Sequence, residues 1–132
     1  MANESDKAIR EVLASVKGIR LAIVFGSLAT GRQRTDSDLD IAVAMQQGPL
    51  SASQKIVIIQ ALAEVIGRPI DLVDLATVSE PLLGQIVRYG RRILGNDTEF
   101  GNLISRHLIE QADFMPYRNR ILSERRRAWL GK

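Results

Sequence analysis

Three aspartates lie within apolar stretches of the sequence, where a carboxylate is costly to bury without a partner. Asp38 and Asp40 stand one residue apart at the start of the run DLDIAVAM, and Asp71 lies in the run PIDLVDL. If both runs are strands, Asp38 and Asp40 project from one face, because successive side chains alternate between faces. Their charges repel unless a cation lies between them, and Mg²⁺ prefers oxygen ligands such as carboxylates. With Asp71 on a neighbouring strand, the cluster is able to hold two metal ions about 4 Å apart for an in-line phosphoryl displacement.

The dipeptide Gly26-Ser27 follows a short apolar run and is suited to binding the phosphates that such metal ions carry. Glycine lets a ligand approach the backbone closely. If Ser27 opens a helical turn, its free backbone N–H groups suit a phosphate, and the serine hydroxyl adds another donor. Arg32 and Arg34 lie in the same connection and either reach phosphate oxygens or remain solvated. We therefore expect polyphosphate at one end of the site and metal at the other.

The elements that must hold these residues follow from hydrophobic periodicity and from the positions of glycine and proline. The sequence predicts the order α-β-β-α-β-α-β-α, which indicates an α/β or α+β fold with a mixed sheet and helices packed on it. Ser5 is expected to cap the first helix. The predicted helices cover residues 5–17, 51–66, 79–89 and a long segment from 96 that Pro116 interrupts, and the predicted strands cover 19–25, 38–45, 70–75 and 91–94.

Four further residues capable of chemistry are interpreted as structural. Strand alternation directs Asp74 away from Asp71, so Asp74 is expected to be structural rather than a metal ligand. His107 is the only histidine and falls in the long helix, where we expect it to be packed or at the surface rather than a base. Tyr89 and Tyr117 are expected to be packing residues, with self-modification as the alternative for an exposed tyrosine.

Composition excludes several classes of protein. The chain has 132 residues, which is enough for one domain with a core, and its 45% hydrophobic and 25% charged residues are typical of a soluble globular protein. It contains no cysteine, which excludes disulfides and thiolate metal sites and fits a reducing cytoplasm. The N-terminus lacks the apolar region of a signal peptide, and no apolar run approaches the length of a membrane span. We therefore expect a cytoplasmic protein without membrane contact.

The distribution of charge is more informative than its sum. A net charge of +3 is too small to indicate nucleic acid, and no direct nucleic-acid partner is expected. Residues 117–132 contain six basic residues and one acidic residue, Glu124. This basic tail indicates either a solvated helix face or contact with an acidic partner. Its members are Arg118, Arg120, Arg125, Arg126, Arg127 and Lys132.

The combined spacing of these residues resembles a known signature. The sequence is similar to the motif of the nucleotidyltransferase superfamily with the DNA polymerase β-type palm. The similarity lies in Gly26-Ser27, followed after ten residues by Asp38-x-Asp40. Asp71 matches the third carboxylate of that superfamily, in a strand of similar sequence. At this length the chain most resembles the minimal nucleotidyltransferases, or MNT proteins. The resemblance implies a nucleotidyltransferase domain over residues 1–95 and a C-terminal helical extension, 96–132, packed on the same domain.

The resemblance also implies an activity and a partner. It implies transfer of a nucleoside monophosphate from a nucleoside triphosphate to an acceptor, with two Mg²⁺ ions. Gly26 and Ser27 would hold the triphosphate, Asp38 and Asp40 would bind both metals, and Asp71 would bind the catalytic metal and help activate the acceptor hydroxyl. MNT proteins are often antitoxins paired with a HEPN-domain ribonuclease, and some resemble enzymes that add AMP to a tyrosine of that toxin. The implied donor is ATP, and the implied partner is a HEPN toxin in a hetero-oligomer.

Alternatives remain open for both the site and the function. Taken singly, Gly26-Ser27 could be a turn, Asp38 a cap, and Asp40 and Asp71 solvent-facing charges on edge strands. Their joint spacing and strand context favour the site instead. The alternative functions are nucleotidyl transfer to a small molecule or an RNA end, and neutralisation of a toxin by contact without catalysis. The intact carboxylate cluster weighs against the last of these.

Overall fold

The computed structural model describes residues 4–26 and 38–129, with side chains described as far as residue 113. Ser27, Arg32 and Arg34 lie outside the described residues, as do the side chains of Tyr117 and of the basic tail. The elements follow in the predicted order. They are α1 (Glu4–Ser15), β1 (Ile19–Phe25), β2 (Leu39–Met45), α2 (Ala52–Ile66), β3 (Ile70–Asp74), α3 (Leu82–Tyr89), β4 (Arg91–Leu94) and α4 (Asp97–Trp129).

The four strands form one mixed sheet in the order β3-β2-β1-β4. Strand β1 is antiparallel to both β2 and β4, whereas β2 and β3 are parallel. A parallel pair needs a long crossover connection, and α2 supplies it. The predicted mixed sheet with helices packed on it is therefore confirmed. Because β2 lies inside the sheet, the alternative that Asp40 is an edge-strand charge is wrong.

Strand alternation divides the core into two layers, one on each face of the sheet. Ile41 belongs to the layer that β2 forms with α1 and α2. Ile23 and Ala42 belong to the layer on the opposite face, which includes α3 and the start of α4. Asp40 precedes Ile41 on β2 and therefore projects on the opposite face, towards α3 and α4. Asp71 lies between two β3 residues that pack on the first layer, so its side chain also projects on the α3/α4 face. The carboxylates predicted to form the site therefore share one face.

Two helix starts differ from the prediction, and two agree, since α4 begins at Asp97 as expected. Ser51 caps α2 by accepting a hydrogen bond from Gln54 N at 3.1 Å, while Ser51 N donates to Gln54 Oε1 at 2.8 Å. Ser5 does not cap α1, because the helix already includes Glu4. The predicted start of α3 at residue 79 is also wrong, since Pro81 occupies the cap position. Proline disfavours the helical conformation at the residue before it, so the helix starts after Glu80.

Helix α4 is continuous from Asp97 to Trp129, so the prediction that Pro116 interrupts it is wrong. A proline removes one backbone hydrogen bond and crowds the preceding turn, a local cost that need not end a 33-residue helix. Arg106 joins α4 to the far end of β3 by donating to the carbonyl oxygens of Leu75 and Val78. In the part of the chain that is described, no helix is long and apolar enough to cross a membrane. The division into domains at residue 95 stays a prediction.

Candidate active site

Asp40 and Asp71 lie directly opposite each other on the parallel strands β2 and β3. Their carboxyl groups lie close enough for protonated Asp40 to form a hydrogen bond with Asp71. Asp71 is exposed and Asp40 is half-buried. Asp38 is exposed just before β2 begins, and its charge acts on Asp40. The fold therefore pairs Asp40 with Asp71, whereas Asp38 acts on Asp40 through its charge alone.

The pKa of Asp40 is raised to about 6, chiefly because burial penalises its charged form. The hydrogen bond that protonated Asp40 can donate to the Asp71 carboxylate, and the negative charges of Asp71 and Asp38, raise this pKa further. Carboxyl groups in such a cluster favour a proton or a cation between them. Strongly shifted pKa values of this kind are frequent at functional sites. The electrostatics of the cluster thus favour the arrival of positive charge at Asp40.

Gly26 adjoins this cluster from the end of β1. Its φ is +74°, a left-handed conformation that favours glycine. A Cβ atom at this position would overlap Oδ2 of Asp40 and lie 3.0 Å from its Cγ. The sequence predicted that Gly26 lets a phosphate approach the backbone, and the structure adds a second steric role. The bare backbone of Gly26 leaves the space that the Asp40 carboxylate occupies.

The donor atoms at this site match those that a hard divalent cation prefers. Carboxylate oxygens suit Mg²⁺, and a cation between Asp40 and Asp71 would neutralise both. Among residues 4–26 and 38–113, no three His, Cys, Asp or Glu side chains already form a ligand group for one ion. Asp38 is the outlying member, because it precedes the first residue of β2. The ligand types therefore fit Mg²⁺, with Asp40 and Asp71 as the nearest pair.

Asp74 and His107 have the structural roles that the sequence predicted. Asp74 is buried and accepts hydrogen bonds from Leu50 N and Ala76 N, both at 2.9 Å. His107 is also buried, and its Nδ1 atom contacts a carboxylate oxygen of Glu80. The second oxygen of that carboxylate accepts from the backbone N–H of α3 at 3.2 Å. Glu80 has no signal in the sequence, because its partner lies 27 residues further along the chain.

The expectation that Tyr89 is a packing residue is wrong, because 62% of its surface is exposed. Tyr89 is the last residue of α3, and β4 begins two residues later. Gly90 between them packs so closely on β1 that a Cβ there would overlap Cγ2 of Ile23. The chain therefore turns tightly into β4 and leaves the preceding ring in solvent.

Comparisons with known proteins agree with this geometry. The chain belongs to the polymerase beta nucleotidyltransferase family, whose sequence model matches residues 7–99. It is 31% identical over 94 residues to the protein adenylyltransferase MntA of Shewanella oneidensis, covering 71% of this chain and 67% of that protein. The family match covers β2 and β3, the strands that carry Asp40 and Asp71.

Solved structures show the same fold. One is the crystal structure of a toxin–antitoxin with AMP-PNP, which has a TM-score of 0.79 and 26% identity over 90% of this chain and 96% of that one. Another contains a tri-AMPylated Shewanella oneidensis HEPN toxin in complex with an MNT antitoxin, with a TM-score of 0.74 and 23% identity over 91% and 94% of the two chains. At that identity, the second match shows the fold alone.

Proposed function

We propose that this chain transfers AMP from ATP to a tyrosine hydroxyl of a HEPN-domain toxin and thereby neutralises the toxin. The observation that carries the proposal is the pairing of Asp40 with Asp71 beside Gly26, in a member of the nucleotidyltransferase family. The 31% identity to a protein adenylyltransferase supports a protein as the acceptor. The similarity to a toxin–antitoxin structure with AMP-PNP supports both the partner and the adenine nucleotide.

In the proposed reaction, the acceptor oxygen attacks the α-phosphorus of ATP. A bond forms between that oxygen and the phosphorus, the bond from the phosphorus to the bridging oxygen breaks, and pyrophosphate leaves. Asp71 is the more exposed member of the carboxyl pair and accepts the proton of the hydroxyl. Gly26 and Ser27 hold the triphosphate. Two Mg²⁺ ions bound by Asp38, Asp40 and Asp71 would supply Lewis-acid stabilisation of the charge that develops on the phosphate oxygens.

The raised pKa of Asp40 supports this assignment of roles. A carboxyl group that holds its proton up to about pH 6 must release it before it can bind a cation. At neutral pH, the ionised group lies between two further carboxylates, which makes binding of divalent cations favourable.

The test is to incubate the chain with ATP, Mg²⁺ and a candidate HEPN-domain toxin from the same genome, and to measure the intact mass of that toxin. We expect mass increments of one or more AMP units with the wild type and none with Asp40→Asn. Asp113→Asn changes an exposed aspartate on α4 and should transfer normally. Omitting Mg²⁺ in the presence of EDTA should abolish the increments.

Two results would select the alternative functions. Rapid transfer to RNA ends or a small alcohol, with an unmodified HEPN protein, would indicate a different acceptor. Equal inhibition of the toxin by the wild type and Asp40→Asn would indicate neutralisation by contact alone. The cytoplasmic location and the lack of a nucleic-acid partner stay predictions.

A further inference from the structure

Tyr89 is the only exposed aromatic side chain among the residues whose side chains the structure describes. Phe25 is buried and Phe100 is half-buried. Aromatic rings gain more from burial than most side chains, so an exposed ring forgoes stabilisation that the fold could have used. Packing within the described part of the chain therefore does not explain why position 89 is aromatic.

Tyr89 lies at the same end of the sheet as the carboxylates. Arg91 pairs with Val24 on β1, and the next residue of β1, Phe25, pairs with Asp40 on β2. Tyr89 precedes Arg91 by two residues, which brings it level with the end of β1. Since neighbouring strands lie about 4.8 Å apart, two strand spacings, or about 10 Å, separate the start of β4 from Asp40, and Tyr89 lies two residues before that start.

The end of α3 also lies over the correct face of the sheet. Gly90 packs against Ile23, since a Cβ at position 90 would overlap Cγ2 of that side chain. Ile23 belongs to the core layer on the α3/α4 face, the face from which Asp40 projects. Tyr89 therefore ends the helix that covers this face, and the carboxylates lie at the same edge.

We propose that the ring of Tyr89 binds the base of the nucleotide donor by stacking. The inference rests on the proposed function, because it requires the α-phosphate of ATP at Asp40 and Asp71. The ribose then separates the base from the carboxylates by one sugar unit, which is compatible with a separation of about 10 Å between Asp40 and the start of β4, two residues after Tyr89. An aromatic ring presents a flat apolar surface on which a base can stack, and stacking does not need the phenol hydroxyl.

The test is calorimetric titration of the full chain with ATP and Mg²⁺, using four proteins. Tyr89→Phe keeps the ring and should bind like the wild type. Tyr89→Ala should bind about tenfold more weakly, as expected for the loss of one stacked base. Ile109→Ala truncates an apolar residue that is 64% exposed on α4 and should bind like the wild type. Inorganic tripolyphosphate with Mg²⁺ has no base and should bind all four proteins equally.

Several outcomes would overturn the inference. Unchanged ATP affinity in Tyr89→Ala would show that the ring does not contact the base. An equal loss in Tyr89→Phe would assign the role to the hydroxyl, and AMP found on Tyr89 by mass spectrometry would make it an acceptor instead. Weaker tripolyphosphate binding in Tyr89→Ala would indicate a disturbed phosphate site. If the wild type transfers AMP while Tyr89→Ala binds ATP normally, only this inference fails, whereas a wild type that binds no ATP refutes the proposed function as well.

Discussion

A Cβ atom on residue 26 would overlap Oδ2 of Asp40, so the end of β1 and the carboxylate on β2 fit together only when residue 26 is glycine. This contact links the predicted phosphate-binding end of the site to its predicted metal-binding end. A change at Gly26 should therefore disturb Asp40 directly, in addition to any effect on phosphate approach.

Gly26→Ala should lower AMP transfer at least tenfold, because the new methyl group must displace the Asp40 carboxylate. Gly67→Ala is a matched control, since the two glycines have φ values of +74° and +72° but position 67 has open space around it. Both variants should lose about 1 kcal/mol from backbone strain. Thermal melting should show similar losses, while only Gly26→Ala should lose transfer. Equal transfer rates in both variants would contradict the steric role of Gly26.

Asp40→Asn should stabilise the protein at pH 7 and have little effect at pH 4. The pKa of Asp40 is about 6 in the fold against an ordinary 3.8, so folding favours the protonated group. The stability from this proton is complete below pH 3.8 and is lost as the pH rises through about 6. Because the group is only half-buried, the gain at pH 7 should be roughly 1 kcal/mol after discounting for solvent screening.

Urea unfolding of the wild type and Asp40→Asn between pH 4 and pH 8 measures this difference. The two curves of stability against pH should diverge between pH 4 and pH 7. Asp113→Asn should run parallel to the wild type, because its carboxylate is exposed. Parallel curves for Asp40→Asn would show that the pKa of Asp40 is not raised in the folded protein.

Asp71→Asn and Asp74→Asn should have opposite effects, although both residues lie on β3. Asp71 is exposed beside Asp40, so its substitution should abolish AMP transfer with a change in stability below about 0.5 kcal/mol. Asp74 is buried and accepts two backbone N–H groups, so its substitution should cost roughly 1–3 kcal/mol and leave transfer intact. Melting temperature and transfer rate, measured on both variants, separate the two roles. Loss of transfer in a folded Asp74→Asn protein would place Asp74 in the site.

His107→Ala should destabilise the protein, but the molecules that remain folded should transfer AMP at the wild-type rate. The substitution leaves the carboxylate of Glu80 buried without its ring partner, at a cost of roughly 2–3 kcal/mol. Leu108→Ala changes the adjacent residue, which is 57% exposed, and should shift stability by less than about 0.5 kcal/mol. Chemical denaturation measures the stability of both variants, and transfer assays measure their activity. Both are run at about 15–20 °C, where proteins are usually most stable and the variants remain folded. A large fall in transfer rate in a folded His107→Ala protein would assign catalysis to this histidine.

The sequence by itself determined the elements and the candidate carboxylates. Apolar periodicity and glycine positions located the four strands to within a residue, because these signals are local. Strand alternation separated Asp71 from Asp74, and the structure confirms that Asp74 is structural. Local signals failed at Pro116, where a long helix continues despite the missing hydrogen bond, and at Tyr89, where a tight turn leaves the ring exposed.

The tertiary structure alone decided how these residues act together. Strand neighbours and their register are set by packing across the whole core, so no local pattern shows that Asp40 stands opposite Asp71 or that Gly26 makes room for its carboxylate. The raised pKa of Asp40 follows largely from that assembly, because burial and the Asp71 carboxylate act on it only after the strands have paired. The contact between His107 and Glu80 likewise joins residues 27 positions apart. Local chemistry supplied the groups, and long-range packing supplied the distances at which they interact.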